Sequence, residues 1–253
     1  MKKNNTLIII LVLLSALCIA GAIVLLMLGD YRDNGTVTKP EQENPHGSLS
    51  LVCSDPDSIP DHSGEDYIIL NDGIPCFNEW DMENITGEHY SEPDSLGRCG
   101  TAYAMLDRSM MPTGERGDIG HIKPTGWVQN KYEGIIDSEP PYLFNRSHLI
   151  AYALTGQNAN ERNLITGTRY MNAVTQLYWE KQVMRYLDHS DNHVLYRVTP
   201  YFKEDELLAR GVEMEAYSVE DKGASLCFHV FVYNIQPGIV LDYRTGENRA
   251  EPF

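Results

Sequence analysis

Positive charge is in short supply in this chain. Twenty lysines and arginines face 36 aspartates and glutamates, a net charge of −16 over 253 residues. That balance excludes a protein that holds polyanions through its overall field. Familiar catalytic signatures are missing as well. There is no HExxH, no GxSxG, no P-loop and no CxxC, so sequence motif alone gives no zincin, α/β-hydrolase, P-loop enzyme or dithiol oxidoreductase. His62, His89, His121, His189, His193 and His229 show no mutual ligand spacing, which argues against a zinc cluster. No cysteine has a helix start or a basic residue that marks it as a nucleophile. No internal repeat or low-complexity tract interrupts the domain. What remains is ordinary globular material, 42% hydrophobic and 22% charged, enough for one or two domains with a real core.

The first 28 residues differ from the rest. Lys2 and Lys3 precede a run without charge from Leu7 to Leu28. At ~1.5 Å per residue that run reaches about 33 Å, enough to cross a bilayer core. The expectation is an uncleaved transmembrane signal anchor over 1–28, with the N-terminus cytoplasmic. A cleaved signal peptide is the competing reading, but its apolar core is usually only ~7–15 residues. An acidic, Pro- and Ser-rich linker over 29–63 and a domain over 64–253 then lie outside the membrane. Of five cysteines, Cys53, Cys76, Cys99 and Cys227 fall in that oxidising compartment. Four cysteines allow three pairings. Proximity favours Cys53 with Cys76, leaving Cys99 with Cys227; free buried thiols are the alternative.

Charge is unevenly spread. From Asp30 to Ser95 there are 16 acidic and 2 basic residues; from Tyr142 to Leu187 there are 5 basic and 2 acidic. The second segment contains "NRSHLIAYALTGQNANERNLITGTRYMN", with one His, five Asn, three Arg and no Asp. Around it the pattern predicts an α+β domain with an antiparallel sheet. "DYIILNDGIPCF" reads as a hairpin turning at Asn71-Asp72-Gly73. "SLGRCGTAYAML" reads as a strand and "KPTGW" as a turn. Met171, Val174, Tyr178, Met184 and Leu187 recur at helical spacing, predicting a helix to about Asp188 with Asn172 in its first turn. "HVLYRVTPYF", "GVEMEAYSVE" and "LCFHVFVYNIQPGIVLDY" read as strands. In the second of these, Val212, Met214, Ala216 and Tyr217 interleave with Glu213, Glu215 and Ser218, with a slip near Tyr217.

Amides gathered beside arginines and one histidine suit phosphodiester hydrolysis. That reaction needs a base near neutral pH, which His148 supplies. It needs a divalent cation to neutralise charge on the phosphate. Mg²⁺ keeps several waters and takes only one or two protein oxygens. An amide provides an oxygen without adding negative charge beside a polyanion.

The segment resembles the active-site stretch of the DNA/RNA non-specific endonucleases, whose motif is written DRGH. It is most similar to a membrane-anchored and secreted bacterial branch that includes DNA-entry nucleases. "SLGRCGTAYA", "KPTGW", "VLYRVTPYF", "MEAYSVED" and "FVYNIQPGIVLDY" share the resemblance, which spans roughly 66–246. It implies a ββα-metal core, a Mg²⁺ or Mn²⁺ cofactor, and DNA and RNA as substrates. It further implies cleavage with little sequence preference, leaving a 5′-phosphate and a 3′-hydroxyl. By resemblance His148 is the general base, Asn172 the direct metal ligand, Asn163 a support, Glu180 a holder of water around the metal, and Arg146 a phosphate contact. Lys123, Arg169 and Arg185 are expected basic surface for nucleic acid. Two departures stand out: Asn145 replaces the motif's Asp, and Ser147 its Gly, placing a side chain beside the expected substrate path. The rivals to this reading are a non-catalytic nucleic-acid receptor on the same fold and a cell-surface adhesion domain.

Overall fold

Runs of Val, Ile, Tyr and Phe set up the sheet, and one long amphipathic helix covers it. The computed structural model describes residues 58–252, which all fall within one compact unit. Its strands are β1 (Tyr67–Ile69), β2 (Gly87–Tyr90), β3 (Ala102–Leu106), β4 (Phe144–His148), β5 (Leu164–Thr168), β6 (Val194–Tyr201), β7 (Gly211–Ser218), β8 (Cys227–Tyr233), β9 (Ile239–Leu241) and β10 (Asn248–Ala250). The helices are α1 (Glu79–Asn84), α2 (Tyr152–Thr155) and α3 (Gln176–His189). Six strands form one sheet in the order β1-β8-β7-β6-β3-β2, every pair antiparallel. The architecture is α+β, as the pattern predicted. The expected anchor lies outside the described residues. Among the described residues, no helix is long and apolar enough to cross a membrane.

Helix α3 packs on one face of the sheet. Trp179, Val183 and Leu187 repeat every four residues and are buried with Val194, Tyr196, Val198, Val212, Met214 and Val230. The same cluster takes in Leu149, Ile150 and Ile165 from the hairpin β4–β5. The hairpin runs in register from Phe144 opposite Thr168 to His148 opposite Leu164. Sheet, helix and hairpin thus share one core, and the hairpin is held against the start of the helix. Burial of this kind contributes roughly 1.5–3 kcal/mol per large apolar side chain.

Several local expectations change. "DYIILNDGIPCF" is not a hairpin. Tyr67–Ile69 pairs instead with Val230–Val232 at the sheet edge. Asn71 and Asp72 do take positive φ, but Pro75 has no N–H to offer a second arm. The chain crosses the sheet face, where the Cys76 N–H donates to Glu215. That crossing also covers two charged residues of β7: Glu213 and Glu215 are buried. Glu215 pairs with Arg197, and Glu213 accepts hydrogen bonds from Tyr201 and His229. Residues 58–63, read as the end of the linker, include a buried Ile59 and a Pro60 carbonyl that accepts from Tyr233. The expected last strand divides, with β8 ending at Tyr233 and β9 leaving the sheet to pair with β10.

The Cys99–Cys227 pairing is also corrected. Both are free thiols, and Cys76 is disulfide-bonded. Cys99 packs against the core, with its Sγ within hydrogen-bond reach of the carbonyls of Glu161 and Leu164. Cys227 faces the crossing segment at Gly73. Cys53 lies outside the described residues.

Candidate active site

His148 is the last residue of β4 and is buried. Its Nε2 lies 3.0 Å from the Asn158 carbonyl, and its Nδ1 lies 3.2 Å from an Arg116 nitrogen. A carbonyl only accepts and a guanidinium only donates. The ring proton therefore sits on Nε2, and the lone pair on Nδ1 faces Arg116. Burial, then the Arg116 charge, pulls the imidazole down from its usual 6.5 to about 4. At neutral pH it is an uncharged base. Arg116 is held by Asn158 Oδ1 at 3.2 Å and by the face of Tyr152.

Asn163 grips the chain just past the base. Its Oδ1 accepts from Ile150 N at 2.8 Å, its Nδ2 donates to Ile150 O at 2.9 Å, and its own carbonyl accepts from Leu149 N. It is wholly buried and acts on the backbone that carries His148.

Asn172 belongs to a π turn at Met171–Thr175 that leads into α3. π turns recur at functional sites because they re-aim one side chain of a helix. Asn172, Gln176 and Glu180 follow at four-residue intervals along one face. Gln176 Nε2 donates to the His148 carbonyl at 2.7 Å and to Glu180 Oε1 at 3.1 Å. Ser147 Oγ lies 2.9 Å from the ends of both the Asn172 and Gln176 amides. Glu180 is buried with Gln176 as its donor, and burial raises its carboxyl to about 8. Ser147 is wholly buried; it points at the helix and not along the substrate path. It fits because its diagonal neighbour across the hairpin is Gly167, where a Cβ would come within 2.6 Å of Ser147 Cβ.

In front of these groups lies an open cleft of about 760 Å³, lined by Arg116, Arg146, Arg169, Asn145, Asn172 and Trp127 among others. The structure thus gathers Arg146, Arg169 and Asn172 on one surface, with His148 reached through Arg116. It does not bring Arg185 or Lys123 there. Arg185 borders a separate small pocket with Tyr186 and His189. Lys123 is exposed beyond the cleft lining. Arg146 is only partly given to the cleft: it donates to the carbonyls of Ile122 and Gly120 and lies over Trp127, 4.3 Å from the ring centroid. It braces the loop that forms the wall.

Arg116, Asn158 and Gln176 escaped the sequence reading. Arg116 sits 32 residues before the base in a loop without periodicity. Gln176 had a signal, since it falls midway between Asn172 and Glu180 on the helix. A second convergence, Cys76 with Glu215 and His229 within 4.8 Å, was invisible to linear spacing. Its sulfur is committed to a disulfide and Glu215 to Arg197.

Comparison with known proteins gives this arrangement its class, that of endonucleases, hydrolases that cut within a nucleic-acid strand. The chain belongs to the DNA/RNA non-specific endonuclease family, whose model matches residues 78–220. It is 34% identical over 110 residues to a deoxyribonuclease of Streptococcus dysgalactiae subsp. equisimilis. That match takes in 42% of the chain and 32% of the relative, so the chain spans about a third of that protein's length. Among solved structures it is similar to NucA from Streptococcus agalactiae with magnesium bound, at 28% identity and TM-score 0.65, covering 77% of this chain and 91% of that one. It is also similar to Sda1 nuclease with a bound zinc ion, at 25% identity and TM-score 0.62, covering 74% and 97%.

Proposed function

We propose that this chain is a divalent-metal-dependent, sequence-non-specific endonuclease that hydrolyses DNA, and RNA as well, outside the cell membrane. The observation that carries the reading is the locked tautomer of His148, whose only basic nitrogen faces Arg116, a residue that lines the same cleft as Asn172, Arg146 and Arg169. The magnesium-bound relative and the uncharged run Leu7–Leu28 support the metal and the membrane-anchored location. The hairpin β4–β5 and the helix behind it would be its ββα-metal core.

The donor set suits a hard cation. It offers an amide oxygen at Asn172 and a buried carboxyl at Glu180 that a neighbouring positive charge would ionise. Asn172 would hold the ion, with Glu180 behind it, and Mg²⁺ or Mn²⁺ would neutralise charge on the phosphate and leaving oxygen. The protein's own residues do the rest. His148 Nδ1 accepts a proton from the attacking water, and the Nε2–H bond to Asn158 fixes the ring for that purpose. Arg116 occupies Nδ1 in the resting site. A phosphate offers it a stronger, charge-assisted partner, so substrate binding draws Arg116 to the phosphate and opens Nδ1 to water. Arg146 and Arg169 line the approach and contact phosphate, which carries no sequence information.

The test is incubation of plasmid DNA with the protein, with EDTA, and with EDTA followed by excess Mg²⁺. Cleavage should stop with chelator and return with metal. Intact plasmid in all three would defeat the reading, leaving a nucleic-acid receptor on a nuclease fold.

A further inference from the structure

Hydrogen-bond accounting around Ser147 leads to one conclusion about Asn172. Gln176 cannot turn its amide over, because Nε2 faces the His148 carbonyl at 2.7 Å and a carbonyl can only accept. Its Oε1 is therefore fixed toward Ser147 Oγ, 2.9 Å away. Oε1 has no proton, so the single hydroxyl proton of Ser147 goes to it. Asn172 Oδ1 also faces Ser147 Oγ at 2.9 Å. In that orientation two acceptors compete for one proton in a buried position, where an unmade hydrogen bond is costly. A half-turn of the Asn172 amide removes the conflict, since it exchanges oxygen for nitrogen at nearly unchanged shape.

We infer that Ser147, itself set by Gln176, is a positioning residue that holds the Asn172 amide nitrogen inward and turns its carbonyl oxygen into the cleft, where a divalent cation would take it. The result is a one-way relay. Asn172 donates to Ser147, Ser147 to Gln176, and Gln176 to the His148 carbonyl and Glu180. Ser147, the departure from the family motif, thereby becomes the group that tells one end of the Asn172 amide from the other. Gly167 leaves the room for it. The inference rests on the reading of Asn172 as the metal ligand.

Mn²⁺ binding to the full chain, measured by the paramagnetic resonance of free Mn²⁺ without nucleic acid, tests it. Ser147→Ala keeps the backbone and Cβ but frees Asn172 to turn. It should weaken Mn²⁺ binding roughly tenfold, the equivalent of one hydrogen bond's worth of preference. In an Asn172→Asp background both ends of the side chain are oxygens, so adding Ser147→Ala should change affinity less than about twofold. If Ser147→Ala does not fold, Ser147→Cys, a weak donor, should show the same dependence on background. Wild-type affinity in Ser147→Ala, or an equal loss in both backgrounds, overturns the positioning role. Asn172→Ala with wild-type affinity overturns the ligand assignment and this inference together. Loss in Asn172→Ala with none in Ser147→Ala overturns the inference alone.

Discussion

At the scale of the residue, the environment of His148 decides what the protein can do. An imidazole in water is half protonated near 6.5; this one is pushed down to about 4 by burial and by Arg116. The base form exists above the pKa. Activity should therefore rise with pH through the value for the free enzyme, reported by kcat/KM. The acid limb should fall well below pH 6.5. Arg116→Gln removes the positive neighbour, so the pKa moves up toward the free imidazole and the acid limb moves up with it. On the proposed mechanism the same substitution also removes a phosphate contact, so kcat/KM should drop on the plateau as well. A pH profile that drops without moving would mean Arg116 touches substrate but not the base.

At the scale of the element, the site depends on the joint between the hairpin β4–β5 and the helix α3. Gly167 is the tightest point of that joint. A Cβ there would come within 2.6 Å of Ser147 Cβ and 2.7 Å of Met171 Cε. The methionine end can swing away; a Cβ fixed to the opposite strand cannot. Gly167→Ala should destabilise the fold by about 1–3 kcal/mol, the usual range for overpacking, and Ser147→Gly in the same chain should recover part of it. Urea midpoints of the single and double variants would show this. Equal midpoints for Gly167→Ala and wild type would mean that the hairpin adjusts freely. The helix itself was legible in its apolar spacing, but its buried face was only partly so: Met171 and Leu187 are buried, Val174 and Tyr178 are exposed, and Trp179 and Val183 fill the face instead. Its π turn was not legible, since helical spacing assumes a regular turn and carries no mark of one extra residue. The central strands were legible in their β-branched and aromatic content. The burial of Glu213 and Glu215 was not, because alternation reports a strand with one wet face, and here the crossing segment through Cys76 covers the second.

At the scale of the whole molecule, charge is the governing feature. A net −16 repels nucleic acid, so binding must rest on Arg116, Arg146 and Arg169 around one cleft. Each phosphate contact releases counterions, about 0.9 of a decade in affinity per decade of salt. Three contacts predict a fall on the order of 10²–10³-fold in affinity for a tenfold rise in salt. DNA binding measured across that range checks it, and a flat profile would move the binding surface elsewhere. Residue types within one segment made the centre of the candidate site readable, since His148, Asn163, Asn172 and Glu180 all lie close in sequence. Arg185 and Lys123 were grouped with them by charge alone. A helix carries Arg185 to a separate pocket, and Lys123 falls outside the cleft lining. Distance along the chain hid Arg116, which only the folded loop brings to the base.

The account turns on His148 as the base. The most direct measurement is single-turnover cleavage of DNA by His148→Ala with saturating Mg²⁺, alongside DNA and Mn²⁺ binding by the same variant. Loss of a positioned base should lower the rate by about 10²–10⁴-fold while both binding constants stay within a few-fold of wild type. A folded His148→Ala protein that cleaves at close to the wild-type rate would contradict the mechanism and the roles given to Arg116 and Asn158 around that ring.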